Sequence, residues 1–239
     1  MKFLFGLIST MLMLNPINWG LKHHGNDTHP TPPSDGAAIL SKYDGLHRAN
    51  TDEKKIYLTF DLGYEAGYTA QVLDILKASG HKAIFFMCGE YLKQTELVER
   101  IIAEGHMIGN HTDRHKDLPT LSPEKITADI MDFQNQFTEK FPHAPAPVFM
   151  RPPKGRFDET VVKIARENNL RTMLWSIAIK DWDKSPIPHE KSAQTLADRL
   201  HAGAIILLHI TNAGMPRTVE AFLPLVTARG YTIANPFEM

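Results

Sequence analysis

Five stretches of this 239-residue chain carry side chains that can move protons, hold a metal ion or grip a carboxylate. The first is Ile56-Tyr57-Leu58-Thr59-Phe60-Asp61-Leu62-Gly63. Its apolar, β-branched and aromatic side chains read as a buried strand. The strand ends in the carboxylate of Asp61, and Gly63 permits a sharp turn. A carboxylate at the C-terminal end of a strand lies where α/β proteins build their sites, although Asp also caps helices. His111 and His115 are spaced to share one face of a helical turn, where two imidazoles can hold one zinc or similar divalent ion. Two surface histidines with no ligand would read the same way. Arg151, in Arg151-Pro152-Pro153-Lys154-Gly155, follows a predicted strand, and its planar fork can hold a carboxylate. The prolines and Gly155 stiffen that loop, which can aim a backbone N–H into a pocket. Trp182 beside Asp181 can stack on a sugar ring, although the core is the ordinary place for tryptophan. His209 ends the apolar run Leu207-Leu208-His209 and so belongs at the mouth of a strand. A partner carboxylate such as Asp181 would raise its pKa and suit it to general-acid work.

The elements that must position these groups alternate regularly. Strands are predicted at 55–60, 82–88, 106–110, 147–151, 170–176, 203–209 and around Thr232. Helices are predicted at 68–79, 94–104, 122–140, 158–168, 190–201 and 216–229, from apolar spacing and from end signals such as Ser122-Pro123 and Gly80. Such βα alternation argues an α/β fold with a parallel sheet, and seven to eight units suggest a barrel. The catalytic unit would span 54–239. Residues 15–53 read as an irregular extension wrapped on it, with a short helix at 37–44 and a Pro- and His-rich loop at 22–37. His23, His24 and His29 read as solvated loop histidines, with metal binding as the less common use of such a tract. Residues 1–14 are apolar behind Lys2, like the start of a secretory signal, and are short for a membrane span. An extracytoplasmic protein is expected, secreted or associated with the membrane through this segment; Asn15-Pro16 replaces a small-residue cleavage site. Composition, 43% hydrophobic and 22% charged, is that of a folded protein. A net charge of −1 gives no electrostatic footprint for nucleic acid. The single cysteine, Cys88, allows no intrachain disulfide and lies in an apolar run, as a buried hydrophobe would.

Taken in order, Thr59-Phe60-Asp61-x-Gly63, His111-Thr112-x-x-His115, Arg151-Pro152-Pro153-x-Gly155, Asp181-Trp182 and Leu207-x-His209 resemble the five motifs of the NodB-type polysaccharide deacetylases, carbohydrate esterase family 4. Pro16-Ile17-Asn18-Trp19-Gly20, Lys42-Tyr43-Asp44 and Gly63-Tyr64-Glu65-x-Gly67-Tyr68-Thr69 further resemble the delta-lactam-biosynthetic peptidoglycan de-N-acetylases of spore-forming bacteria, which act on N-acetylmuramic acid. The resemblance implies a distorted (β/α) barrel of seven to eight units and metal-assisted hydrolysis of an acetamide. It implies Asp61 as the base acting on a metal-bound water, with His111 and His115 as ligands of a divalent metal, zinc being the expected ion. Arg151 would orient Asp61. His209 would protonate the leaving amine with Asp181 tuning it, and a backbone N–H near Lys154 would meet the oxyanion. Lys154 and Trp182 would contact substrate. The implied partner is peptidoglycan or a related N-acetylated glycan, and a monomer is expected. One position departs from the pattern: most of the family carries a second, metal-binding Asp where this chain has Leu62. Two alternatives follow, a deacetylase of chitin-like N-acetylglucosamine glycans and a catalytically impaired glycan-binding protein.

Overall fold

The computed structural model describes residues 15–183 and 187–239; the expectation for 1–14 lies outside the described residues. The chain forms β1 (Ile17–Asn18), α1 (Ser34–Lys42), β2 (Lys55–Leu62), α2 (Thr69–Ser79), β3 (Ala83–Met87), α3 (Thr95–Ala103), β4 (Met107–Asn110) and α4 (Pro123–Lys140). It continues through β5 (Phe149–Met150), β6 (Arg156–Phe157), α5 (Glu159–Glu167), β7 (Arg171–Thr172), β8 (Ile177–Ala178), α6 (His189–Ala197), β9 (Ala204–His209), α7 (Met215–Ala228) and β10 (Thr232–Ile233). The main sheet runs β7–β5–β4–β3–β2–β9–β8, with β10 beside the start of β2, and every ladder is parallel. It curls into a partial barrel, as the alternation suggested, and matches the distorted (β/α) architecture that the family resemblance implied. No ladder joins β7 to β8 among the described residues. The N-terminal extension bridges that gap instead: Leu46 pairs with Met173 and Arg48 with Ala204, and Ala49 N donates to Gly203 O at 2.8 Å.

Because β2 lies at the centre of a covered parallel sheet, seven of its eight residues are buried, and its two faces serve different layers. Leu58, Phe60 and Leu62 pack outward with Val72, Leu76, Leu208 and Phe222 in the core under the helices. Tyr57 packs inward with Ile84, Phe86, Phe149 and Ile205. This alternation sends Asp61 inward and Leu62 outward. Local signals fix the helix ends. Gly80 takes φ 73°, and its N–H closes α2 onto Leu76 O and Lys77 O. Asp158 accepts from Val161 N at 2.9 Å and starts α5.

Four expectations need correction. The strands predicted at 147–151 and 170–176 shrink to two-residue ladders: Pro152 and Pro153 cannot donate to a sheet beyond the first, and beyond the second the chain turns to Leu46 of the extension, with Met173 bridging it and Leu174 N donating to Leu46 O. The helix predicted at 37–44 begins at Ser34. The antiparallel pairing of β1 with β6 and the short β8 carried no periodicity that would have announced them. His111–His115 is not a helical turn. Thr112 and His115 have φ of 66° and 52°, and the segment is a loop folded back on itself.

Candidate active site

Asp61, His111, Arg151 and His209 meet at the C-terminal ends of β2, β4, β5 and β9. Asp61 faces His209 directly across the β2–β9 ladder. Arg151 is fully buried behind Asp61, with its Nη1 2.7 Å from Asp61 Oδ1. Its other nitrogens donate to Met173 O at 3.1 Å and Leu174 O at 3.2 Å. The guanidinium carbon lies 4.1 Å from the centre of the Phe86 ring. A guanidinium fixed at four points can hold only one carboxylate rotamer. Burial pushes the pKa of Asp61 up, but the charge of Arg151 and the neighbouring His111 and His209 outweigh it and hold the group below the usual carboxylate range. Asp61 is therefore an anion, buried yet open to the cavity above it.

The histidine loop hangs from α4. Asn110 is fully buried and donates to Ile130 O at 2.9 Å, and its carbonyl oxygen accepts from Thr112 N at 2.8 Å. Asp129 accepts from Arg114 N at 3.0 Å. These bonds hold the left-handed residues that fold the loop, and the two imidazole centroids come to 5.0 Å despite the absent helix. His111 Nδ1 is 2.8 Å from Arg151 O and so carries the proton, which leaves Nε2 as the lone-pair nitrogen, 3.5 Å from Asp61 Oδ2. Burial lowers the pKa of His111, and partial desolvation with the neighbouring His111 lowers His115 to about 4, so both rings are neutral.

On the other wall Asp181, fully buried, takes two bonds from one residue. Its Oδ1 lies 2.8 Å from His209 Nδ1, and its Oδ2 accepts from His209 N at 2.8 Å. The carboxylate fixes the proton on Nδ1 and leaves Nε2 as the ring's working nitrogen. Burial alone would lower the pKa of His209; the Asp181 bond and the charges of Asp181 and Asp61 reverse this and raise it. The ring of Trp182, 57% exposed, stands edge-on to His209 at 6.0 Å. Asp61, His111, His115, Trp182 and His209 line a cavity of about 710 Å³, together with Trp19, Tyr64, Lys154, Gly155, Trp175 and Leu207.

Residues 48–173 match the model of the family described as polysaccharide deacetylase. The chain belongs to that family. The peptidoglycan-N-acetylmuramic acid deacetylase PdaA of Bacillus subtilis is 37% identical over 92% of this chain and 84% of its own length. A peptidoglycan-N-acetylglucosamine deacetylase of Bacillus cereus is 35% identical over 79% of this chain and 89% of its own. The solved structure of B. subtilis PdaA, a family 4 carbohydrate esterase, superposes with a TM-score of 0.86 at 33% identity, covering 94% of this chain and 98% of that one. The protein is therefore a polysaccharide deacetylase of carbohydrate esterase family 4.

Deacetylases of this family are generally metal-dependent. The donor chemistry here suits a divalent transition metal: two neutral imidazoles, one with its second nitrogen fixed by a backbone carbonyl. The set is one protein ligand short of the three that catalytic zinc sites use. No group of three or more metal-capable side chains occurs among the described residues, and Leu62, 2% exposed, is packed in the outer core. All eight residues predicted for the site, Asp61, His111, His115, Arg151, Lys154, Asp181, Trp182 and His209, are brought to this cavity or directly behind it. Sequence reasoning missed the wall formed by Trp19, Tyr64 and Trp175. Trp19 reaches the cavity because β1 pairs with β6, and its indole donates to Trp175 O at 2.9 Å. The distance of Trp19 from every catalytic motif hid this role.

Proposed function

We propose that this deacetylase removes the acetyl group from N-acetylmuramic acid in peptidoglycan, acting outside the cytoplasm in the formation of cortex delta-lactam. The observation that carries the reading is the pairing, across one ladder, of an anion that Arg151 holds as a base with an imidazole that Asp181 holds as an acid. Separation of two titrating groups in this way is the requirement of acetamide hydrolysis, which needs a proton taken from water and another given to nitrogen. Asp61 accepts the proton of the attacking water. The water oxygen bonds to the acetyl carbon, and the oxyanion meets an N–H of the tight Lys154–Gly155 turn, where φ is 60° and 63°. His209 Nε2 donates its proton to the amine as the C–N bond breaks, leaving acetate and a free amino sugar. Arg151 and Asp181 position these two groups and touch no reacting atom. A divalent ion held by His111 and His115, with zinc the expected species, would supply Lewis acidity and a more acidic water.

The sugar assignment follows the similarity to PdaA across nearly the whole chain. Residues 15–53 are assigned as an extension on a catalytic domain of 54–239, and the protein as a monomer that reaches the wall through its first 14 residues. A second reading, glycan binding without turnover, rests on Leu62 alone. Acetate release from peptide-stripped peptidoglycan, compared with chito-oligosaccharides, separates these readings. Asp61→Asn is expected to abolish release and His209→Ala to lower it strongly, with the fold retained. Full release by either variant would overturn the assigned roles.

A further inference from the structure

Four large apolar side chains stand about half exposed among the described residues, and two of them, Tyr64 and Trp182, line the catalytic cavity. Trp182 adjoins Asp181, which holds the acid, and Tyr64 lies three residues beyond the base Asp61. Tyr64 does not stand on a free loop. The half-buried carboxylate of its neighbour Glu65 accepts through Oε1 from Gly67 N at 2.6 Å and Thr69 N at 3.4 Å. Its Oε2 accepts from the hydroxyls of Thr69 and Tyr91 at 2.5 Å and 2.6 Å. Tyr91 is fully buried in the helical turn after β3, so the loop leaving β2 is tied to the core beside the next strand. Gly67 takes φ 92°, which lets the loop fold back onto that carboxylate. Burial pushes the pKa of Glu65 up; the bonds from Thr69, Tyr91 and Gly67 outweigh it and hold the group below the usual carboxylate range. Tyr68, the N-cap of α2, gives no side-chain cap bond, so Glu65 also closes that helix. Helix closure accounts for the bond to Thr69 N. It does not require a tyrosine left half exposed in the cavity of the base.

We infer that Tyr64 is a stacking platform for a pyranose ring of the substrate glycan, and that Glu65 is the positioning residue that holds it in place. This rests on the deacetylase reading above and deepens it. The C–H bonds on one side of a pyranose form an apolar face, which an exposed aromatic ring can cover. Glu65 follows Tyr64 directly, so pinning the Glu65 carboxylate to Gly67, Thr69 and Tyr91 fixes the backbone from which the phenol ring projects. The platform acts on binding and leaves the proton transfers of Asp61 and His209 as they are, so its loss registers in KM and Kd rather than in kcat. The ring face is common to muramic acid and glucosamine. Tyr64 therefore sets affinity for N-acetylated pyranosides as a class and does not discriminate between them.

All three tryptophans of the chain line the catalytic cavity, so intrinsic fluorescence reports glycan binding directly. The probes are peptide-stripped peptidoglycan oligosaccharides and chitotetraose. Kd is measured for both, and kcat and KM for whichever releases acetate. Tyr64→Ala is expected to raise Kd and KM roughly three- to tenfold, the scale of one aromatic contact, with kcat kept within about twofold. Tyr64→Phe should bind as the wild type does. Glu65→Ala should raise Kd by a similar factor, and Glu65→Gln, which keeps an acceptor for Gly67 N, by less. In the Tyr64→Ala background Glu65→Ala should add less than about twofold, because the two act through one ring. Tyr91→Phe removes a single bond of the clamp and keeps the buried ring, and its effect on Kd should likewise vanish in that background. Unchanged Kd in Tyr64→Ala, or an equal loss in Tyr64→Phe, would overturn the platform. A Glu65→Ala effect that multiplies in full with that of Tyr64→Ala, or Kd unmoved in both Glu65→Ala and Tyr91→Phe, would overturn the positioning role. Failure to release acetate from any glycan would sink the deacetylase reading instead, while Kd would still judge Tyr64.

Discussion

Replacing Asp181 by Asn tests the assignment of His209 as the acid. The carboxylate holds His209 by two 2.8 Å contacts, one to the ring and one to the backbone, and is itself fully buried. Asparagine keeps the shape and one acceptor but removes the charge. A charge-assisted hydrogen bond contributes about 1.5–3 kcal/mol where a neutral one contributes about 1 kcal/mol. The imidazolium therefore loses on the order of 1–2 kcal/mol, and kcat should fall roughly 5- to 30-fold. The pH profile carries the sign. Asp181 raises the pKa of His209 against the effect of burial. An acid must be protonated to act, so the rate falls as pH rises through that pKa. Without the carboxylate the alkaline limb of kcat must move to lower pH. The assay is acetate release from stripped peptidoglycan across the pH range, with circular dichroism to establish folding. A folded Asp181→Asn protein with kcat and alkaline limb both unmoved would refute the account of His209.

Further expectations concern the buried charges and histidines. Arg151→Met leaves Asp61 ionised and unpaired in the interior; thermal or urea unfolding should register a loss of about 3–5 kcal/mol. Arg151→Lys should retain more stability yet lose most activity, because an ammonium cannot reach Asp61, Met173 O and Leu174 O together. Leu62→Asp would put a carboxylate among Leu58, Phe60 and Leu208 and should lower stability by about 3 kcal/mol or more; unchanged stability with a gain in zinc affinity would show that position 62 turns toward the histidines. His106 and His201, both with a buried Nε2 that has no hydrogen-bond partner among the described residues, have their pKa lowered to about 4 by burial. The unfolded chain takes these protons near 6.5 and the folded chain does not, so stability should decline as pH falls from about 6.5 toward 4. Denaturant midpoints measured over that interval check the slope, and a flat curve would contradict it.

The central strand and its catalytic end were legible because β2 is a continuous buried run that stops at Asp61. His209 was legible for the same reason at the end of β9. The short ladders at Phe149–Met150 and Arg171–Thr172 were overestimated, since apolar runs there continue as extended loop under tertiary contacts. The histidine pair was found through helical spacing that the chain does not use. Its two left-handed residues are imposed by Asn110 and Asp129, bonds that no local pattern encodes. Trp19 was not assigned to the cavity because its place there depends on β1 pairing with β6, some 139 residues away in sequence. Closure of the sheet by residues 46–49 is likewise a long-range fact.

The central claim is tested most directly by acetate release from peptide-stripped peptidoglycan, using protein freed of metal and then given zinc or another divalent ion. The account predicts release that appears on adding the ion and is absent from a His111→Ala, His115→Ala double variant. A folded wild-type protein that releases no acetate with any ion would contradict it.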